Sequence, residues 1–220
     1  MPNVAVVLSG CGRLDGSEIT ESICTILALA QNGAEPVFFA PNIPQAEVVN
    51  HLEQAPLAGE VRNVLLESAR IARGHIADLA VARADRLDAV IFPGGQGAAS
   101  NLCTFMTDGP ACRVNDHVAR IITEMHELGK PIGAICIAPV LVARVLGGNG
   151  IPVRVTIGNE KAVAQAIDAM GAVHVECPVD DCLVDVDHKV VTTPAYMLAK
   201  SASQVHTGIA KLVVEVLRFL

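Results

Sequence analysis

Short apolar runs of strand length alternate along this chain with segments of helical periodicity. The runs at residues 4–8, 89–92 and 132–135 contain apolar residues almost without interruption. Strands that lack a polar face are typical of parallel sheets whose two faces are both covered by helices. The alternation therefore predicts an α/β fold with a mostly parallel sheet.

The remaining elements follow from the same patterns. Further strands are predicted at residues 37–40, 153–157 and 173–175, and helices at 18–31, 62–73, 114–128, 138–146, 161–170 and 203–220. Residues 183–186 and 189–192, joined by Asp187 and His188, predict a β-hairpin added to the sheet. No repeat and no flexible linker interrupts the pattern, so residues 1–220 are predicted to form a single domain.

Composition disfavours several classes of function. Acidic residues outnumber basic ones by 23 to 16, which argues against a nucleic-acid-binding surface. The longest apolar stretch, residues 131–142, is shorter than the roughly 20 residues that a membrane helix needs. The seven cysteines form no CxxC pair, which predicts neither a disulfide framework nor a metal site. Because no secretory signal precedes the first strand, the expected compartment is the reducing cytoplasm.

One cysteine stands at a position that the predicted fold makes reactive. Cys136 follows the strand at 132–135 and precedes a predicted helix. Reactive groups of parallel sheets gather at the carboxyl ends of strands, and such a turn aims its residue into the cleft. The N-terminus of the following helix is expected to lower the thiol pKa and favour the thiolate. Cys136 is the candidate nucleophile; the alternative is a buried cysteine that acts as a small hydrophobic residue.

Glycine-rich segments follow two other strands. Gly94 and Gly95 allow a ligand to approach the backbone, and the amides of Gly95 and Ile137 are candidate oxyanion donors, unless a tight turn alone requires the glycines. The loop that contains Gly10 and Cys11 is similar to a dinucleotide-binding loop. Its GxGxxxG spacing, and the missing acidic residue after the second strand, argue against nucleotide binding, so no cofactor is predicted.

Two carboxylates open the first predicted helix. Asp15 as N-cap and Glu18 three residues later fit a capping box, which gives Glu18 a structural role. Glu21 lies on the same helix face without such a role. Beside a thiol in an apolar site, its pKa is expected to rise and the two groups to share a proton. The alternative for Glu21 is a solvated helix-face carboxylate.

With Cys136 at the turn, the chain resembles the ThiJ/PfpI superfamily, which is related to class I glutamine amidotransferases, and within it the glyoxalase-like ElbB branch. The segments that carry the resemblance are LSGCGRLDGSEITE, RNVLLESARIARG, IFPGGQGAASNL, GKPIGAICIAPVL and VVTTPAYM. The resemblance implies a flavodoxin-like three-layer α/β sandwich, a homodimer, and Cys136 as nucleophile in contact with Glu21 or, second, Glu18. Many relatives have a histidine where this chain has Ile137, which argues against a Cys-His-acid triad and against protease and amidotransferase activities.

The resemblance implies a cofactor-independent glyoxalase-type enzyme that converts glyoxal or similar dicarbonyls to 2-hydroxy acids, or removes early sugar adducts from proteins. The alternative is a redox-responsive regulatory or chaperone-like dimer in which Cys136 is oxidised, and the family also implies a partner role in isoprenoid biosynthesis. The candidate residues are Cys136, Glu21 and Glu18 for catalysis, and Gly94, Gly95, Ile137, Gly10 and Cys11 for oxyanion or substrate binding. The expected partners are a small dicarbonyl or a glycated protein and a second copy of the chain; no nucleic acid, membrane or metal is expected.

Overall fold

The computed structural model describes residues 1–220 and contains eleven strands and eight α-helices. The strands are β1 Asn3–Val7, β2 Glu35–Ala40, β3 Val49–Asn50, β4 Ala55–Pro56, β5 Ile76–Asp78, β6 Ala89–Phe92, β7 Ile132–Ile135, β8 Arg154–Val155, β9 Val173–His174, β10 Leu183–Asp185 and β11 Val190–Thr193. The helices are α1 Ile19–Gln31, α2 Val64–Ile71, α3 Gln96–Ser100, α4 Phe105–Asp108, α5 Asp116–Glu127, α6 Pro139–Leu146, α7 Lys161–Ala169 and α8 Ala202–Arg218.

Seven strands form the main sheet in the order β10-β11-β7-β6-β1-β2-β5. Every pairing is parallel except that of β10 with β11, which is the predicted hairpin. The α/β, flavodoxin-like prediction is confirmed. The carboxyl ends of β1, β6, β7 and β11 therefore meet at one edge of the sheet, where the candidate site lies.

Helices cover both faces of this sheet because its central strands are apolar on both sides. The side chains of β1 alternate: Val4 and Val6 pack with α1, α2 and α8, whereas Ala5 and Val7 pack with α5 and α6. All residues of β6, β7 and β11 are buried. No helix combines the length and apolar character needed to cross a bilayer.

Several elements differ from the sequence prediction. The strands predicted at 153–157 and 173–175 shrink to β8 and β9, which pair with each other in a separate two-stranded sheet. The strand β5, the small β3–β4 pair and the short helices α3 and α4 were not predicted, because each is too short to show a period. The helix predicted from residue 114 begins at Asp116, since the Asn115 side chain caps it by accepting from the amides of His117 and Val118.

Candidate active site

The predicted strained turn is present at Cys136. Its φ is +62°, a left-handed conformation that residues with a Cβ rarely adopt and that costs about 1–2 kcal/mol. The Cys136 amide donates to the carbonyl of Thr193 at 2.9 Å, which ties the turn to the neighbouring β11. Proline at position 139 then begins α6. The chain therefore reverses within a few residues, and the thiol lies at the carboxyl edge of the sheet.

The glycines after β6 are required because neighbouring groups of the site approach them closely. A Cβ on Gly94 would lie 2.4 Å from Cys136 Cβ and 2.5 Å from Glu21 Oε2. Gly95 has a φ of +98°, and a Cβ there would lie 2.4 Å from the Glu18 nitrogen. Gly94 is thus required by the approach of Cys136 and Glu21, and Gly95 by its positive φ and by the backbone before α1.

Glu21 is fully buried and bridges three loops of the site. Its Oε2 accepts from the Gly94 amide at 3.0 Å, and its Oε1 accepts from the Tyr196 amide at 3.1 Å. The carboxyl also lies beside Cys136, since a Cβ on Gly94 would contact both side chains. The structure thus brings the loops after β6, β7 and β11 together around one carboxyl group.

Glu18 has the expected structural role, but by a different arrangement. Glu18 is itself the N-cap of α1, and its side chain accepts from the Glu21 amide at 2.7 Å. The Asp15 carboxylate instead accepts from the Val49 amide at 2.9 Å, so the expectation that Asp15 caps this helix is wrong. The loop before α1 folds back on itself, which takes Asp15 away from the helix end. Glu18 remains part of the cleft wall.

Burial controls the protonation of the central pair. It raises the pKa of Glu21 from 4.5 to about 8, although the hydrogen bond from the Tyr196 amide lowers it. Burial, then the charge of Glu21 and the hydrogen bond to it, raise the pKa of the Cys136 thiol well above 9.0. The amides of Gly95 and Ile137, which donate to the sulfur, act in the opposite direction but are weaker. The expected thiolate is therefore wrong, and at neutral pH both groups carry their protons.

The thiol lies against a cleft of about 530 Å³, and Cys136 keeps 7% of its surface exposed. The residues that line it are Arg13, Glu18, Gly95, Gln96, Ala99, Met106, Cys136, Ile137, Tyr196 and Met197. No histidine is among them. No group of three or more His, Cys, Asp or Glu side chains is arranged to hold a metal ion.

Four candidate residues do not line the cleft: Glu21 and Gly94, which lie beside Cys136, and Gly10 and Cys11, which lie apart from it. Gly10 donates its amide to Ser68 Oγ of α2 at 2.9 Å. Cys11 lies beside Arg70 and Glu67 of the same helix, and burial raises its pKa. Gly10 and Cys11 therefore face α2 instead of Cys136.

Sequence reasoning missed several residues of the cleft. Tyr196 and Met197 directly follow β11, so the rule that reactive groups lie at carboxyl ends of strands applies to them as well. Arg13 lies in the loop after β1 and could have been found in the same way. Met106 lies in the short helix α4, and no sequence signal indicated its position.

Comparison with known proteins places the chain in a family. It is 50% identical to glutamine amidotransferase-like class 1 domain-containing protein 3, mitochondrial, of Homo sapiens, over 223 residues that span 97% of this chain and 82% of that protein. The chain belongs to the glutamine amidotransferase-like class 1 family. A second relative is the ES1 protein homolog, mitochondrial, of Rattus norvegicus. It is 48% identical over residues that span 97% of this chain and 82% of that protein. No family model matches the chain.

Solved structures agree with this family assignment. The crystal structure of an isoprenoid biosynthesis protein with amidotransferase-like domain from Ehrlichia chaffeensis superposes with a TM-score of 0.93 at 36% identity, covering 100% of this chain and 99% of the other. DJ-1beta of Drosophila melanogaster has the same fold, with a TM-score of 0.54 at 16% identity and coverage of 99% and 96%. The glutamine amidotransferase-like part of the resemblance is confirmed, and the fold is shared with the DJ-1 protein. The ElbB branch remains a prediction.

The expected cytoplasmic location is wrong. Three relatives are named as mitochondrial proteins: the human protein, the rat protein, and one from Danio rerio that is 38% identical to this chain. The sequence argument rested on free cysteines and a missing secretory signal, which separate oxidising from reducing compartments but do not distinguish one reducing compartment from another.

Proposed function

We propose that this protein is a cofactor-independent enzyme that converts small 1,2-dicarbonyls such as glyoxal to 2-hydroxy acids. The proposal is carried by the placement of the buried Glu21 carboxyl beside Cys136, whose thiol borders the cleft. Dicarbonyl isomerisation needs a nucleophile, a group that moves a proton between two carbons, and donors for a developing oxyanion. A thiol, a carboxyl with a pKa of about 8 and two amides correspond to these parts.

In the first step, the ionised Glu21 takes the proton of Cys136 while the sulfur attacks an aldehyde carbon. A carbon–sulfur bond forms, the carbonyl π bond breaks, and the oxygen receives a proton to give a hemithioacetal. The amides of Gly95 and Ile137 stabilise the negative charge on that oxygen.

In the second step, Glu21, which has passed its proton to the hemithioacetal oxygen, removes the proton from the sulfur-bearing carbon while the neighbouring carbonyl oxygen gains a proton, which gives an enediol. Glu21 then returns its proton to the neighbouring carbon, the hydroxyl on the sulfur-bearing carbon loses its proton, and the thioester of a 2-hydroxy acid forms. Water then hydrolyses the thioester and releases the Cys136 thiol, so glyoxal and one water yield glycolic acid. The same thiol addition serves for the removal of early sugar adducts from proteins, which we propose as a related activity.

The test is the production of glycolate from glyoxal, followed by NMR. Cys136→Ser should lower the rate by at least about 10³-fold, because a hydroxyl is a much weaker nucleophile than a thiol. Cys182→Ser, a half-buried cysteine that does not line the cleft, is the matched control and should retain the activity. Retention of most activity by Cys136→Ser would remove this residue from the mechanism.

A redox sensor is the second candidate, because the amides and the neutral carboxyl around the sulfur would also hold the oxygens of a sulfinate. Peroxide reacts with thiolate, however, and the raised pKa of Cys136 leaves little thiolate at neutral pH. This favours the enzyme. Selective oxidation of Cys136 by mild peroxide, seen by mass spectrometry together with negligible dicarbonyl turnover, would reverse the preference.

We also propose that the protein forms a homodimer through α1. Ile19, Ile23 and Leu27 lie four residues apart on this helix and are 48%, 48% and 44% exposed. This spacing puts the three side chains in one stripe on the helix surface. Burial of such a stripe against the same stripe of a second copy removes apolar area from water. The isoprenoid role is named for the Ehrlichia protein alone.

A further inference from the structure

Arg13 is the only basic residue that lines the cleft, and it is exposed. No carboxylate oxygen lies within 4.0 Å of its guanidinium group, although the two acids Glu18 and Glu21 stand at the same site. The Glu18 carboxyl is engaged by the amide of Glu21, and burial raises its pKa. Arg13 therefore lines the cleft without a direct ion pair, although its charge acts on the Glu18 carboxyl and lowers the pKa of that group.

The backbone that carries Arg13 is fixed on both sides. The Arg13 carbonyl accepts from the Gln96 amide at 2.8 Å, which holds the residue beside the glycine turn that follows β6. The Gly16 amide donates to the Gly12 carbonyl at 2.7 Å, and the Asn101 side chain donates to the Asp15 carbonyl at 2.9 Å. A guanidinium on such a rigid loop loses less conformational freedom on binding than one on a mobile loop.

The wall of the cleft next to these polar groups is apolar, with Ala99, Met106, Ile137 and Met197 among its residues. A substrate that fits this distribution has a reactive carbonyl for Cys136, a short aliphatic segment for the wall and an anion for Arg13. A dicarbonyl without a charge would leave the guanidinium without a partner.

We infer that Arg13 selects dicarbonyl substrates that carry a carboxylate a few bonds away from the reacting aldehyde. The inference rests on the proposed function and narrows its substrate class. A guanidinium pairs with a carboxylate through two parallel hydrogen bonds, which adds orientation to attraction and places the aldehyde at the sulfur. Arg13 thus acts on binding and orientation and does not take part in the proton transfers.

Two probes of equal length test this selection. 4,5-Dioxopentanoate and 2-oxopentanal share the 2-oxoaldehyde group and a three-carbon remainder, and only the first ends in a carboxylate. Arg13→Gln should lower the preference for the acid over the neutral probe, measured as a ratio of kcat/KM values, by about tenfold, since the pair is charge-assisted but exposed. Arg13→Lys should restore part of the preference, and high salt should weaken it in the unmodified protein.

Arg86→Gln is the matched control, because this exposed arginine precedes β6 and lies at the amino ends of the strands, away from the cleft. It should leave the preference unchanged. The same preference in Arg13→Gln as in the unmodified protein would overturn the inference.

A second readout does not depend on turnover. Hemithioacetal formation at Cys136 protects it from alkylation by iodoacetamide, and peptide mass spectrometry follows this one cysteine. The acid should protect at about tenfold lower concentration than the neutral probe, and Arg13→Gln should remove the difference. If the acid protects better than the neutral probe but neither is turned over, the proposed function fails while the role of Arg13 stands. Equal protection by the two probes, or no protection by either, overturns the role of Arg13.

Discussion

Glu21→Gln should change the pH dependence of stability, and the structure gives its magnitude. Each tenfold change in proton affinity is worth about 1.4 kcal/mol. The pKa of Glu21 is 4.5 in its ordinary state and about 8 in the fold. The fold binds this proton more tightly than the unfolded chain, so the contribution of Glu21 to stability is fully present below pH 4.5 and is lost as the pH rises to about 8. Between pH 5 and pH 8.5 the loss is about 4 kcal/mol.

Glutamine cannot replace the hydrogen bonds of this carboxyl. The two oxygens of Glu21 accept from the amides of Gly94 and Tyr196, while its proton is available to Cys136. Glutamine has one oxygen and turns an N–H₂ group toward the second amide, which costs about 1–3 kcal/mol for the buried unpaired donor. The variant should therefore be less stable than the unmodified protein at pH 5 and equal or more stable at pH 8.5.

Urea denaturation at a series of pH values measures the free energy of unfolding of the variant and of the unmodified protein. The difference between the two values at each pH isolates the contribution of Glu21 from that of the other titrating groups. Glu35→Gln, at an exposed position in β2, is the matched control and should give a difference that is independent of pH. A constant difference between Glu21→Gln and the unmodified protein over this range would refute the reasoning, because it would mean that Glu21 is ionised in the fold.

Three further predictions concern activity and assembly. The kcat/KM for glyoxal should rise with pH through an apparent pKa of about 8, since only the ionised Glu21 accepts the thiol proton; a flat profile would argue against this role. Gly94→Ala should abolish activity because its Cβ would lie 2.4 Å from Cys136 Cβ, whereas Gly148→Ala, whose Cβ would meet only the flexible end of an arginine, should retain it. Ile23→Glu should convert the proposed dimer to a monomer in light scattering, since the substitution puts a charge in the apolar stripe.

The parts of the site that could be predicted from sequence are local. The strand, the cysteine and the helix around Cys136 are contiguous in sequence, so their pattern predicts the turn. Sequence reasoning could distinguish the role of Glu21 from that of Glu18, because the start of the helix needs only one capping carboxylate. The contact between Glu21 and the Tyr196 amide joins residues 175 positions apart, and no local pattern indicates it. The strand β5 was missed for a related reason, since three residues at a sheet edge have no recognisable period.

The protonation state of Cys136 could not be predicted because two opposing effects of different size act on it. A helix N-terminus stabilises a negative charge by about 0.3–1 kcal/mol, and up to about 2 kcal/mol when partly buried. Removal of an ion from water into the protein interior costs several kcal/mol after relaxation. The sequence indicates the helix end but not the depth of burial, and burial is the larger effect here. The thiol therefore reacts only when a neighbouring base takes its proton during the attack, and Glu21 is the base in contact with it.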